Sequence, residues 1–209
     1  MIFTIYMFKT DLILETTSKA SATIKSGTAL AHAKTEKALI YHIKRIQTEK
    51  QYGKLLGCLY AFYAPVEQLF EPWVKPVLAD YDERRKSNRL LHDLETVGVT
   101  APPNWYTHLP AIENLSAALG CFYVLERSVL GGVIIKKIIQ EQCSRLPQNA
   151  FGFFSGYDQQ NGLQWLKFLE QFDLLLNDAA KQSAAITTAR DCFKQFEANI
   201  NDYYAWEEI

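Results

Sequence analysis

The sequence predicts an all-α protein, and three observations carry that reading. From residue 22 onward, apolar residues recur at spacings of three and four in several separate stretches, the period of a helix with one buried face. After residue 20 there is no sustained apolar–polar alternation, and no Asn-Gly turn joins two alternating runs. Proline- and glycine-rich segments separate the periodic stretches. At 209 residues the chain suffices for one well-buried domain. A net charge of −1, with 48% hydrophobic and 22% charged residues, describes an ordinary globule with no bulk attraction to nucleic acid or a membrane surface. The aromatic share of 13% fits either a thick core or a large apolar pocket.

Residues 1–21 read as an N-terminal extension and residues 22–209 as the domain. The start, MIFTIYMF, is apolar for only eight residues and lacks a basic leader and a small-residue cleavage site. It is therefore neither a signal peptide nor a membrane span, and reads as a short strand or an added flap. A cytoplasmic protein follows. The first helix is expected over residues 22–48, where Ile24, Thr28, Ala31, Thr35, Leu39, Ile43 and Ile46 form one inward stripe. His32 falls within that stripe, Glu36 one turn later, and His42 near its edge. Residues 51–70 read as a buried helix with a kink or boundary before Pro65.

The charged run at residues 80–89 reads as a solvated helix face without function, and His92 as a surface or boundary residue. Residues 99–110, with three prolines, form the longest clear loop, and His108 in it is a fallback ligand only. Residues 111–146 form one long helical region that bends at Gly120, Gly131 and Gly132 and is closed by Pro147. FFSGYD at residues 153–158 opens a turn-rich connection ending near Gly162. Two amphipathic helices follow, over about residues 163–176 and 184–204, the latter through Ala189, Phe193, Phe196 and Ile200. Cys58, Cys121, Cys143 and Cys192 show no CxxC spacing, so they read as buried thiols.

Two positions invite a functional reading. Each glycine of the Gly131-Gly132 pair costs a helix roughly 1 kcal/mol against alanine. The pair marks either a close helix crossing or a flat platform for a ligand, with the Ser128 hydroxyl at its border. His32 is either a satisfied core residue or a metal ligand. Glu36 at i+4 is placed to accept from the other ring nitrogen, directly or through water.

These residues carry a family resemblance. LERSVLGG at residues 125–132 and FFSGYD resemble the patterns LEGSxLGG and FFxGYG of bacterial biliverdin-producing heme oxygenases, of the bacteriophytochrome-associated type. IKSGTALAHAKTE at residues 24–36 resembles the same family's [LI]-[KR]-x-x-T-x-x-x-H-x-x-x-E, and YAFYAPVEQ and residues 84–98 are similar to it as well. The resemblance implies a single-domain helical bundle that binds heme between a proximal and a distal helix. It makes His32 the iron ligand and Glu36 its partner. Lys25, Thr28, Arg127 and Phe193 become heme-binding residues, and Ser128, Gly131 and Gly132 line the distal side where oxygen is used. The implied reaction opens heme, at once substrate and cofactor, to biliverdin, carbon monoxide and ferrous iron. It consumes O2 and electrons from a ferredoxin or flavoprotein reductase, and a phytochrome is the implied acceptor of biliverdin.

The sequence departs from the pattern at Arg127, where the family has glycine, and at Val133, where a polar residue is usual. A buried arginine costs several kcal/mol unless paired. Its side chain either reaches a heme propionate, or turns to solvent with the helix, or blocks turnover. The last outcome would leave a non-catalytic heme carrier or sensor on the same fold, and a helical interaction protein is the reading from a different class.

Overall fold

A computed structural model describes residues 19–103 and 108–206. The expected strand or flap at MIFTIYMF lies outside the described residues. Helix α1 spans Lys19–Ile43, α2 Glu49–Val74, α3 Asn88–Thr96, α4 Leu115–Gln142, the short α5 Gly152–Ser155, α6 Asn161–Leu175 and α7 Ala179–Trp206. Among the described residues no strand occurs, and the all-α reading holds.

The periodic stripes bury as expected. On α1, Ile24, Thr28, Thr35 and Ile43 are buried, and Ala31 and Leu39 pack against the core from its edge. The helix begins at Lys19, earlier than the expected residue 22, and Ala20 already belongs to the core. Helix α2 starts on a capping box in which Thr48 Oγ1 accepts from Gln51 N and Gln51 Oε1 accepts from Thr48 N, both at 3.2 Å. It then runs through Pro65 and Pro72, so the boundary expected before Pro65 is absent. Contacts made by the buried residues on either side, from Tyr52 to Val74, outweigh the single backbone bond that a helical proline removes. Asn114 caps α4, its side-chain oxygen accepting from Ala117 N at 3.0 Å, and so sets the start at Leu115 rather than residue 111.

Helix α7 is the spine of the bundle. Both α1 and α4 pack extensively along it, whereas α1 and α4 scarcely meet each other. Gly120 brings α4 close: a Cβ there would fall well inside contact distance of the Ala185 carbonyl oxygen. Thr35 Oγ1 donates to Phe193 O at 2.9 Å and ties α1 to α7, and Asn199 Nδ2 donates to Cys58 O at 3.0 Å and ties α7 to α2. The four cysteines are buried and unbridged. Helix α4 is long and apolar enough to cross a membrane, but two-thirds (67%) of its apolar window is buried inside the fold.

Candidate functional site

Because α1 and α4 lean on α7 without closing on each other, a cleft remains between them. From α1 it is lined by His32, Thr35, Glu36, Leu39, Ile40 and Ile43, and from α4 by Val124, Leu125, Arg127, Ser128, Gly131 and Ile135. Phe193 and Phe196 of α7 and Tyr63 of α2 complete the lining. Each helix contributes at helical spacing, so the cleft is where two faces diverge. Its empty volume is about 680 Å³ with the open solvent at its mouth included. The surface is mostly apolar, with the polar groups few and placed on opposite walls.

On the α1 wall the His32 ring stands edge-on to Phe193, centroids 5.5 Å apart and planes at 75°. Its Nδ1 lies 4.0 Å from Glu36 Oε2, beyond a direct hydrogen bond and within the span of a bridging water. Of the other residues expected to bind heme from this side, Phe193 lines the cleft and Lys25 and Thr28 do not. Thr28 is buried, and its hydroxyl donates back to Ile24 O at 2.7 Å. His42 stacks on Tyr204 at 3.5 Å, and His92 and His108 are exposed; none of the three lines the cleft.

On the α4 wall the two glycines serve different ends. Gly131 lines the cleft, whereas a Cβ on Gly132 would lie 2.5 Å from Phe154 O, so Gly132 lets α4 cross the short helix α5. Arg127 is part-buried and lines the cleft, with Nη1 3.5 Å from the Tyr123 hydroxyl. Val133 is half exposed (51%), on the far side from the cleft lining.

The run at residues 80–89 is not a solvated helix face. Tyr81–Glu83 is a single 3₁₀ turn, and Arg84 and Arg85 are 4% and 6% exposed. Arg84 Nη1 donates to Glu126 Oε2 at 3.2 Å and to Gln164 O at 2.9 Å, and Nη2 to Asp80 Oδ2 at 2.6 Å. Arg85 Nη2 donates to Leu125 O at 2.6 Å and to Ser128 Oγ at 2.7 Å, with its guanidinium 4.1 Å from the Phe153 ring. Tyr157, the tyrosine of FFSGYD, donates to Glu126 Oε1 at 2.9 Å and accepts from Arg85 N at 2.7 Å. Burial pushes the Glu126 carboxyl upward, and Arg84 and Arg85 act against it. Burial works to lower Arg84, yet Asp80 and Glu126 outweigh it and raise the guanidinium. Donors reach both Glu126 oxygens, which is how a carboxylate bonds, so the geometry holds the ionised pair. The sequence offered one cue to this network: a lone glutamate in the middle of an apolar helix needs a buried cation.

Among the described residues no cluster of three or more His, Cys, Asp or Glu side chains is arranged to hold a metal ion. A metal that brings its own planar set of ligands, as heme iron does, needs only one imidazole from the protein. An apolar cleft with His32 on one wall and a flat glycine-bearing helix on the other suits such a group. No curated protein matches the chain in sequence. Among solved structures, NO- and CO-bound heme oxygenase from Neisseria meningitidis is similar at a TM-score of 0.74 and 18% identity, over 90% of this chain and 92% of that one. Heme oxygenase from Leptospira interrogans is similar at 0.69 and 19%, over 88% and 98%. These likenesses show a shared fold. The family model for heme oxygenase matches residues 18–202, a span that takes in both walls and the floor of the cleft, and the chain thus belongs to the heme oxygenase family.

Proposed function

We propose that the protein is a cytoplasmic heme-degrading enzyme whose cleft between α1 and α4 would hold heme, with His32 as the residue that would ligate the iron. One observation supports this most: the histidine of the α1 motif and the Arg127–Ser128–Gly131 face of α4 line the same apolar cleft. Glu36 orients the imidazole, and Phe193 fixes its ring plane edge-on. Gly131 keeps the opposite wall bare, so that a planar group comes close to the helix. Iron in the bound porphyrin supplies the oxygen chemistry. The apolar side chains of both walls, such as Leu39, Val124 and Ile135, would pack against the ring. The products on this reading are biliverdin, carbon monoxide and ferrous iron. Electrons come from a ferredoxin or flavoprotein reductase, and biliverdin passes to an acceptor such as a phytochrome.

The test is a single turnover. The hemin complex supplied with O2 and ascorbate, or with a reductase, is expected to lose its Soret band as biliverdin absorbance grows. Persistence of intact heme under both reductants would contradict catalysis and leave a heme carrier.

A further inference from the structure

The short helix α5 and the glycine after it lie along one side of α4, next to the side that lines the cleft. A Cβ on Gly132 would stand 2.5 Å from Phe154 O, Lys136 Nζ donates to Ser155 Oγ at 2.9 Å, and a Cβ on Gly156 would meet Val129 Cγ1 at 2.6 Å. Val129, Gly132 and Lys136 therefore form one stripe of α4, and Ser128, Gly131 and Ile135, which line the cleft, form its neighbour. The two stripes differ by one residue, about 100° around the helix. Helix α3 pins α5 in turn. The fully buried Asp93 carboxylate accepts from Gly152 N at 2.9 Å through Oδ1 and from Phe153 N at 2.8 Å through Oδ2. At the other end of the turn, Arg89 Nη1 donates to Gly156 O.

We infer that Asp93 is a positioning residue for the cleft: by holding α5 against α4 it sets how far the Gly131 wall stands from the His32 wall, and so the room on the α4 side of a bound heme. This rests on heme binding at His32 as proposed above. A carboxylate suits the task because each oxygen takes one N–H at the start of α5, which fixes the turn in both position and direction. Without it two backbone amides lose their acceptor, and the turn shifts until water reaches them. Phe154 meets Gly132 through backbone, so no side-chain rotation absorbs that shift, and α4 moves with the turn. His32 stands on α1, which packs along α7 instead.

The experiment titrates the ferric hemin complexes of the wild type, Asp93→Ala, Asp93→Asn and Asp178→Ala with imidazole and with the bulkier benzimidazole. Asp178→Ala is the control for general loosening: it removes the acceptor of Lys181 N at the start of α7, a bond of 2.8 Å, and so weakens the fold elsewhere. The ratio of benzimidazole to imidazole affinity is expected to rise about three- to tenfold in both Asp93 variants, the equivalent of one hydrogen bond. It is expected to keep its wild-type value in Asp178→Ala. The near-isosteric Asn variant decides the matter if the Ala variant does not fold. A ratio that does not rise in an Asp93 variant that binds hemin overturns the inference alone, as does an equal rise in Asp178→Ala. Loss of hemin binding in Asp93→Asn also overturns it, since the carboxylate would then support the whole pocket rather than one wall. A wild-type chain that takes up no hemin overturns the heme reading and this inference together, and that result is read before either ligand is added.

Discussion

Arg85 Nη2 lies 2.7 Å from Ser128 Oγ, so a buried cation from the segment before α3 fixes a hydroxyl on the wall of the cleft. The same nitrogen donates to Leu125 O, and the guanidinium packs on Phe153. Arg85→Met keeps much of the apolar stem and removes both charge-assisted bonds. It is expected to cost roughly 2–4 kcal/mol in urea denaturation. A loss within experimental error would mean that the contact is not maintained in solution.

Close helix crossings at two glycines give a prediction of opposite sign to helix propensity. Alanine normally stabilises a helix by roughly 1 kcal/mol over glycine. At Gly120 the added methyl would meet the Ala185 backbone, and at Gly132 the Phe154 backbone. Backbone cannot swing aside as a flexible side chain can. Each alanine variant is therefore expected to lose about 1–3 kcal/mol of unfolding free energy. Stabilisation of either one would show that the helices stand further apart than described.

Stability should respond to pH through Glu67 in a particular direction. Burial pushes its carboxyl up, and the Ser87 hydroxyl and amide, which both donate to it, pull it back only in part. With the folded value above the unfolded one, the contribution is fully present below the ordinary glutamate range. It is lost as pH rises through the folded value. Relative to Glu67→Gln, the wild type should thus gain stability as pH falls from neutrality toward that ordinary range. Asp82 runs the other way: Lys75, and further Lys86, hold it low, so its contribution is lost as pH falls. Denaturation midpoints of wild type and Glu67→Gln across that window check the sign, and a wild type that weakens relative to the variant on acidification contradicts it.

Much of the fold and half of the cleft were legible from residues alone because they depend on local periodicity. The α1 stripe put Ile24, Thr35 and Ile43 inward as found, whereas His32 and Glu36, which the spacing placed within the stripe, are only part-buried and line the cleft. The buried network was not legible, because Arg84 and Arg85 look like any charged run until their partners arrive from about forty residues away in Glu126, Leu125 and Ser128. The glycine pair admitted two explanations, and each glycine takes one of them: Gly131 borders the cleft and Gly132 makes a helix crossing. The Ser128 hydroxyl meets the Tyr63 hydroxyl, Arg85 Nη2 and Leu125 O, and no spacing rule contains those partners.

The most direct test is a hemin titration of the wild type and His32→Ala. The account predicts that the wild type binds one heme per chain with a defined Soret band, and that the band is lost or shifted and the affinity reduced in His32→Ala. An unchanged spectrum and full affinity in His32→Ala would contradict it.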